Sequence, residues 1–145
     1  MRIGIALGGG GARGWSHIGV LRTLIDAGFA PEIVAGTSMG AIVGAAYAAG
    51  RLDALETFAR GIDRRAMWRL ADLNLGAGGG LVAGERIAAA LTEIIGKHDI
   101  GGLDKKFTAV ATELDTGHEI WLGQGDLVGA LRASYAMPGM RHASA

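Results

Sequence analysis

Residues 32–50 read EIVAGTSMGAIVGAAYAAG, and the fold turns on whether this stretch is one membrane helix or a strand, a turn and a helix. From Ile33 to Gly50 there is no charge over 18 positions, which reaches the lower length limit of a membrane span. Against that, the stretch is mostly glycine and alanine, and G-T-S-M-G in its middle is turn chemistry. The better reading is a short strand over 32–36, a tight turn, and a helix over 39–49. That helix is apolar around its whole circumference, so it should be covered on all sides, and Gly50 ends it.

The same pattern stands just upstream. Residues 2–7, RIGIAL, read as a buried strand, followed by glycines 8–11. A helix is expected from about Ala12 to Ala27, because Gly14, Ile18, Leu21 and Ile25 share one face. Arg22 and Asp26 form an i, i+4 pair on its far side, and Gly28 supplies the stop. Two β-α units in about 50 residues, with strands apolar throughout, predict an α/β protein: a mainly parallel sheet between helices.

Downstream, helices are expected at 52–60 and at 63–71, the second with Asp63 as its N-cap. The run NLGAGGGLVAG follows, and its glycines 76, 78, 79 and 80 read equally as a mobile cover or a plain flexible connection. A helix over 85–95 presents Ile87, Leu91, Ile94 and Ile95 on one face, stopped by Gly96. Strands at 107–113 and 118–122 are joined by Asp115-Thr116-Gly117 as a hairpin. A last helix is expected at 126–134, before Pro138-Gly139 breaks the chain.

Composition bounds the function. The 145 residues fit a single domain, 1–145. Half are hydrophobic and 19% charged, enough apolar surface for a core. Fourteen basic residues balance fourteen acidic ones, so nothing electrostatic points to nucleic acid. Without cysteine there are no disulfides or thiolate metal sites, and His98, His118 and His142 lack ligand spacing. The start MRIGIALGGGG is too short in apolar residues for a secretory signal, and a cytoplasmic location is expected.

Gly9 to Gly14 satisfies G-x-G-x-x-G between a strand and a helix, the setting of a dinucleotide-binding turn. That reading also needs an acidic residue at the end of the second strand, where the sequence has VAGTSMG. A phosphate-binding Walker A loop fails as well, for want of the closing lysine with Ser or Thr. What does stand there is Gly36-Thr37-Ser38-Met39-Gly40, the G-x-S-x-G of a nucleophile elbow. The turn is so sharp that the positions two before and two after the serine must be glycine or very small. It exposes the Ser38 hydroxyl at the carboxyl edge of the sheet and at a helix N-terminus.

The opening glycines then acquire a purpose. Acyl transfer places negative charge on the former carbonyl oxygen, and one well-aimed backbone N–H is worth about 3 kcal/mol there. A bare loop after the first strand brings such amides to the serine of the second. Gly9, Gly10 and Gly11 are the expected donors, together with the N–H of Met39 next to the nucleophile.

On these residues the chain resembles the patatin-like phospholipase family, particularly its bacterial members. The resemblance rests on GGGGARGWSHIGVL as the oxyanion segment, GTSMG as the elbow, and FTAVATELDTG with RASYAMPG further on. It implies a three-layer α/β/α lipid acyl hydrolase with a Ser-Asp dyad, in which Ser38 matches the nucleophile. Gly9, Gly10, Gly11 and Arg13 match the oxyanion segment, supported by Gly14, Gly36 and Gly40. A lipid acyl ester is the implied substrate, with peripheral membrane contact and no metal or organic cofactor.

One feature departs from the family. Its dyad aspartate stands in D-G-[GA] beyond the P-G that here is Pro138-Gly139, and this sequence contains neither D-G-G nor D-G-A. The chain therefore reads as the N-terminal part of the domain, with a catalytically inactive lipid-binding remnant as the alternative function. Asp115 belongs to a hairpin turn and is not promoted to the missing partner. His17, one helical turn past Arg13, reads as a packing or hydrogen-bonding residue. Arg13 reads as a loop anchor pairing a carboxylate or carbonyl, ahead of a role in attracting an anionic head group. Trp15, Trp68 and Trp121 read as core or rim residues ahead of a lipid interface.

Overall fold

A computed structural model describes residues 2–62 and 80–136, with the side chains of 81–83 left aside. Strand β1 (Gly4–Leu7) pairs in parallel with β2 (Ile33–Thr37), which pairs in parallel with β3 (Lys106–Thr112). Strand β4 (Glu119–Leu122) closes the order β1-β2-β3-β4 antiparallel to β3. The expected hairpin is present, with Asp115-Thr116-Gly117 in its turn and Gly117 at a positive φ of 74°. The class is therefore α/β with a mainly parallel sheet, as the sequence predicts.

Five α-helices are described: α1 (Ser16–Asp26), α2 (Met39–Ala48), α3 (Leu52–Gly61), α4 (Gly80–Ile95) and α5 (Leu127–Tyr135). The first helical segment differs from expectation at its start. Gly11–Trp15 form a tighter 3₁₀ turn that runs into α1, so the helix proper begins at Ser16. Ile18 and Leu21 are buried as predicted, whereas Ile25 is 37% exposed, because the last turn of α1 runs past the edge of the core. Helix α4 begins at Gly80, five residues before the expected start, so that glycine is helical; Gly76, Gly78 and Gly79, the helix expected at 63–71 and Trp68 lie outside the described residues.

Helix α2 is the centre of the molecule. Ala41, Val43, Ala45, Ala46 and Ala48 have no exposed surface at all, which is what an all-round apolar helix requires. Small residues let it approach β2 closely: a methyl on Gly44 would lie 2.8 Å from Val34 Cγ1. Leu21 of α1, Leu55 of α3, Leu91 and Ile95 of α4, and Leu127 and Leu131 of α5 join the same buried cluster, with Leu7, Val34, Phe107 and Ala109 from the sheet. Each such side chain removed from water contributes about 1.5–3 kcal/mol.

The described helices thus share one core on one face of the sheet. Strand residues alternate accordingly: Val34 and Gly36 are buried, while Ile33 and Thr37 are exposed. A period of two marks a sheet covered on one side by the described elements. Trp121 faces outward at 59% exposure, and Trp15 packs partly buried against the core.

The Arg22–Asp26 pair is also corrected. Arg22 reaches across to α3, where it bonds Asp53 and, at 2.9 Å, Glu56. Glu56 in turn accepts from Arg60 at 2.7 Å. A neighbouring helix offers two carboxylates at once, which an i+4 partner on the same helix does not. Arg51 donates to the Ile94 carbonyl at 3.0 Å and so satisfies the end of α4. Buried Tyr47 donates to the Pro31 carbonyl at 2.9 Å, and its burial pushes the phenol above its ordinary value.

Candidate active site

The passage from β2 to α2 is a sharp elbow with Ser38 at its apex. Its φ of 54° and ψ of −120° make it the one described non-glycine residue with positive φ. Such a backbone costs about 1–3 kcal/mol and persists only where the surroundings impose it. Here they do. A methyl on Gly40 would lie 2.1 Å from the Leu7 carbonyl oxygen, and one on Gly36 would lie 2.5 Å from the Gly40 oxygen. The two glycines flanking Ser38 are therefore dictated by backbone passing against backbone.

That close passage also seats the first crossover over the second. Gly8 and Gly9 leave β1 directly beside the elbow, and a methyl on Gly9 would point at Ser38 Cβ, 3.7 Å away. Gly10, at φ 139°, and Gly11, at φ 54°, then turn the chain into the 3₁₀ segment. Two further contacts hold this loop: Arg13 N donates to the Gly10 carbonyl at 3.1 Å, and His17 Nε2 donates to the Gly8 carbonyl at 2.9 Å. His17 thus has the hydrogen-bonding role read from the sequence, and its partner is the loop itself.

Gly14 is buried where the 3₁₀ turn meets α2. A methyl there would fall 2.4 Å from Met39 Cγ, so the bare glycine gives the Met39 side chain its place. The fold therefore brings Gly9 and Gly14 of the first crossover together with Gly36, Ser38, Met39 and Gly40 of the second. Arg13 stands on the exposed side of the loop and, among the described residues, its side chain makes no hydrogen bond or ion pair. The anchoring contact expected of its guanidinium is thus not found there; the loop is held by the Arg13 amide and by His17.

The amides of the first loop are free. Among the described residues, the N–H groups of Gly9, Gly10 and Gly11 donate to no carbonyl or side chain. Met39 opens α2, so its N–H has no partner one turn back. The Ser38 N–H is different: it donates to Ser134 Oγ on α5 at 2.8 Å, and Ser134 Oγ donates onward to the Val110 carbonyl at 2.7 Å. Sequence reasoning missed Ser134, although RASYAMPG was among the segments carrying the resemblance.

Two other polar candidates among the described residues lie elsewhere. Asp115 is exposed in the hairpin turn, and His98 Nε2 donates to the Ile95 carbonyl at 3.0 Å at the end of α4. Among the described residues no group of three His, Asp or Glu side chains is arranged to hold a metal ion. A concavity of about 430 Å³ lined by Trp121, Leu122, Gly123 and Gln124 includes none of the elbow residues. Among the described residues, no helix is long and apolar enough to cross a membrane.

The patatin-like phospholipase family matches residues 5–143. An uncharacterized NTE family protein of Mycobacterium bovis is 43% identical over 139 residues, 96% of this chain and 38% of its own length. A second such protein from that organism is 34% identical over 143 residues, covering 95% of this chain and 24% of its own. A patatin-like phospholipase domain-containing protein of Caenorhabditis elegans is 33% identical over 141 residues, covering 94% of this chain and 10% of its own. This chain therefore spans well under half the length of the curated relatives it matches.

Proposed function

The chain belongs to the patatin-like phospholipase family, and from that premise we propose that it carries the nucleophile and oxyanion site of a serine hydrolase acting on acyl esters of lipids. Ser38 Oγ attacks the ester carbonyl, and the carbonyl oxygen becomes an oxyanion. The N–H groups of Gly9, Gly10, Gly11 and Met39 receive that charge. The proton given up by Ser38 Oγ leaves on the alcohol, and water then releases the fatty acid from the acylated serine and restores that proton. The observation that carries this reading is the face-to-face placement of bare Gly9 and the strained Ser38.

A second reading, an acyl-chain-binding protein without turnover, draws on a different observation. Among the described residues no imidazole or carboxylate hydrogen-bonds to the Ser38 hydroxyl. A weakly activated serine attacks slowly, whatever its oxyanion donors. Incubation with a fluorophosphonate separates the two. Covalent labelling at Ser38 that disappears in Ser38→Ala supports the hydrolase, and the same substitution should then lower ester hydrolysis by a factor of 10³ or more. Fatty-acid binding with no labelling favours the binding protein, and tight binding of NAD or ATP would refute both.

A further inference from the structure

Ser134 sits in the last turn of α5, 96 residues from Ser38, and its hydroxyl both accepts and donates a hydrogen bond. Its oxygen accepts the Ser38 N–H at 2.8 Å, and its proton goes to the Val110 carbonyl at 2.7 Å. Val110 is the β3 partner of Thr37, the residue just before the elbow. One side chain thus joins the elbow, the adjacent strand and α5 at the point where the sheet ends.

The Ser38 N–H needs such a partner. It lies past the end of the β2 ladder and before the first turn of α2, so neither element supplies an acceptor. Its strained backbone would relax if that amide were free to swing toward water, carrying the nucleophile's hydroxyl with it. A hydroxyl both accepts and donates, which is what a site between an N–H and a C=O requires. Alanine would abandon both groups, and a carboxylate would oppose the Val110 carbonyl.

We propose that Ser134 is a positioning residue for Ser38: by holding the nucleophile's own amide against β3, it keeps the elbow in its left-handed conformation. The Ser38 N–H is thereby removed from the set of oxyanion donors, and that work falls to Gly9, Gly10, Gly11 and Met39. This rests on Ser38 as the nucleophile.

The test compares the parent chain, Ser134→Ala and Ser134→Thr by backbone amide exchange at Ser38 and by the rate at which a fluorophosphonate modifies Ser38. The parent amide should be protected and should lose roughly tenfold or more of that protection in Ser134→Ala. Labelling in that variant should slow by roughly ten- to a hundredfold, the cost of misplacing a reacting atom by about 1 Å. Ser134→Thr, which keeps the hydroxyl, should recover both, a rescue that simple loss of packing would not produce. Unchanged labelling in a folded Ser134→Ala overturns the proposal, and so does an unprotected Ser38 amide in the parent. If Ser134→Ala does not fold, the parent's exchange decides alone. A parent that resists labelling with its Ser38 amide protected counts against the nucleophile and leaves the tether standing; labelling with an unprotected amide counts against the tether alone.

Discussion

At Ser38 the backbone is held at φ 54° by contacts on every side, and neighbouring glycines bear on it in different ways. Gly40→Ala would push a methyl to 2.1 Å from the Leu7 carbonyl oxygen, and backbone cannot move aside cheaply. We expect it to cost about 3 kcal/mol or more, read as a lowered urea midpoint. Gly9→Ala meets Ser38 Cβ at 3.7 Å, an ordinary contact, and Gly9 has no positive φ. That variant should fold with nearly parental stability while its methyl crowds the space above the hydroxyl. Fluorophosphonate labelling should fall roughly tenfold at unchanged urea midpoint. The spacing G-x-S-x-G made Gly36 and Gly40 legible from sequence, but only Gly36 is demanded by its near neighbours Gly40 and Ala41, whereas Gly40 answers to Leu7 across the sheet. Ser134 was not legible, because a hydrogen bond spanning 96 residues leaves no periodic trace.

Among the elements, α2 was the most readable: ten residues with no charged face, too few for a membrane span, mark a helix covered on all sides. Helix α1 was less so. Its 3.6-residue pattern identified the buried Ile18 and Leu21 but not the 3₁₀ entry, which the positive φ values of Gly10 and Gly11 impose. Helix α5 starts at a true N-cap, Asp126, whose carboxylate accepts the Gly129 N–H at 2.7 Å. Asp126→Ala should cost about 1 kcal/mol, measured by urea unfolding. Because α5 carries Ser134 at its opposite end, fraying of the first turn should slow Ser38 labelling much less than Ser134→Ala does. Comparing the two variants separates helix stability from the tether.

Over the whole molecule, charge adds to the shared core in tying α1 to α3. Glu56 on α3 receives hydrogen bonds from Arg60 and from Arg22 of α1, and these hold its carboxyl below its ordinary value. A carboxylate with a lowered folded pKa contributes stability that is complete above its unfolded value, about 4.3, and lost as pH falls through the folded one. Replacing both Arg22 and Arg60 by Met should therefore shrink the difference in urea midpoint between pH 7 and pH 3.5, and added salt should shrink it in the parent.

Local rules are enough to establish much of this protein. Apolar runs bounded by glycines specify the strands and α2, Asp115-Thr116-Gly117 specifies the hairpin, and the two glycine motifs point to an oxyanion loop and an elbow. Each is recognised from a pattern within about ten residues, so the chain itself carries the information, even where the contact that explains a glycine, as at Gly40 against Leu7, is distant. Tertiary structure alone decided that Arg22 turns to α3 instead of Asp26, that the described helices gather on one face of the sheet, and that the Ser38 amide is held by Ser134. Those outcomes depend on which surfaces meet after the strands pair in the order β1-β2-β3-β4, and a one-dimensional pattern does not state which distant groups will then lie within 3 Å of each other.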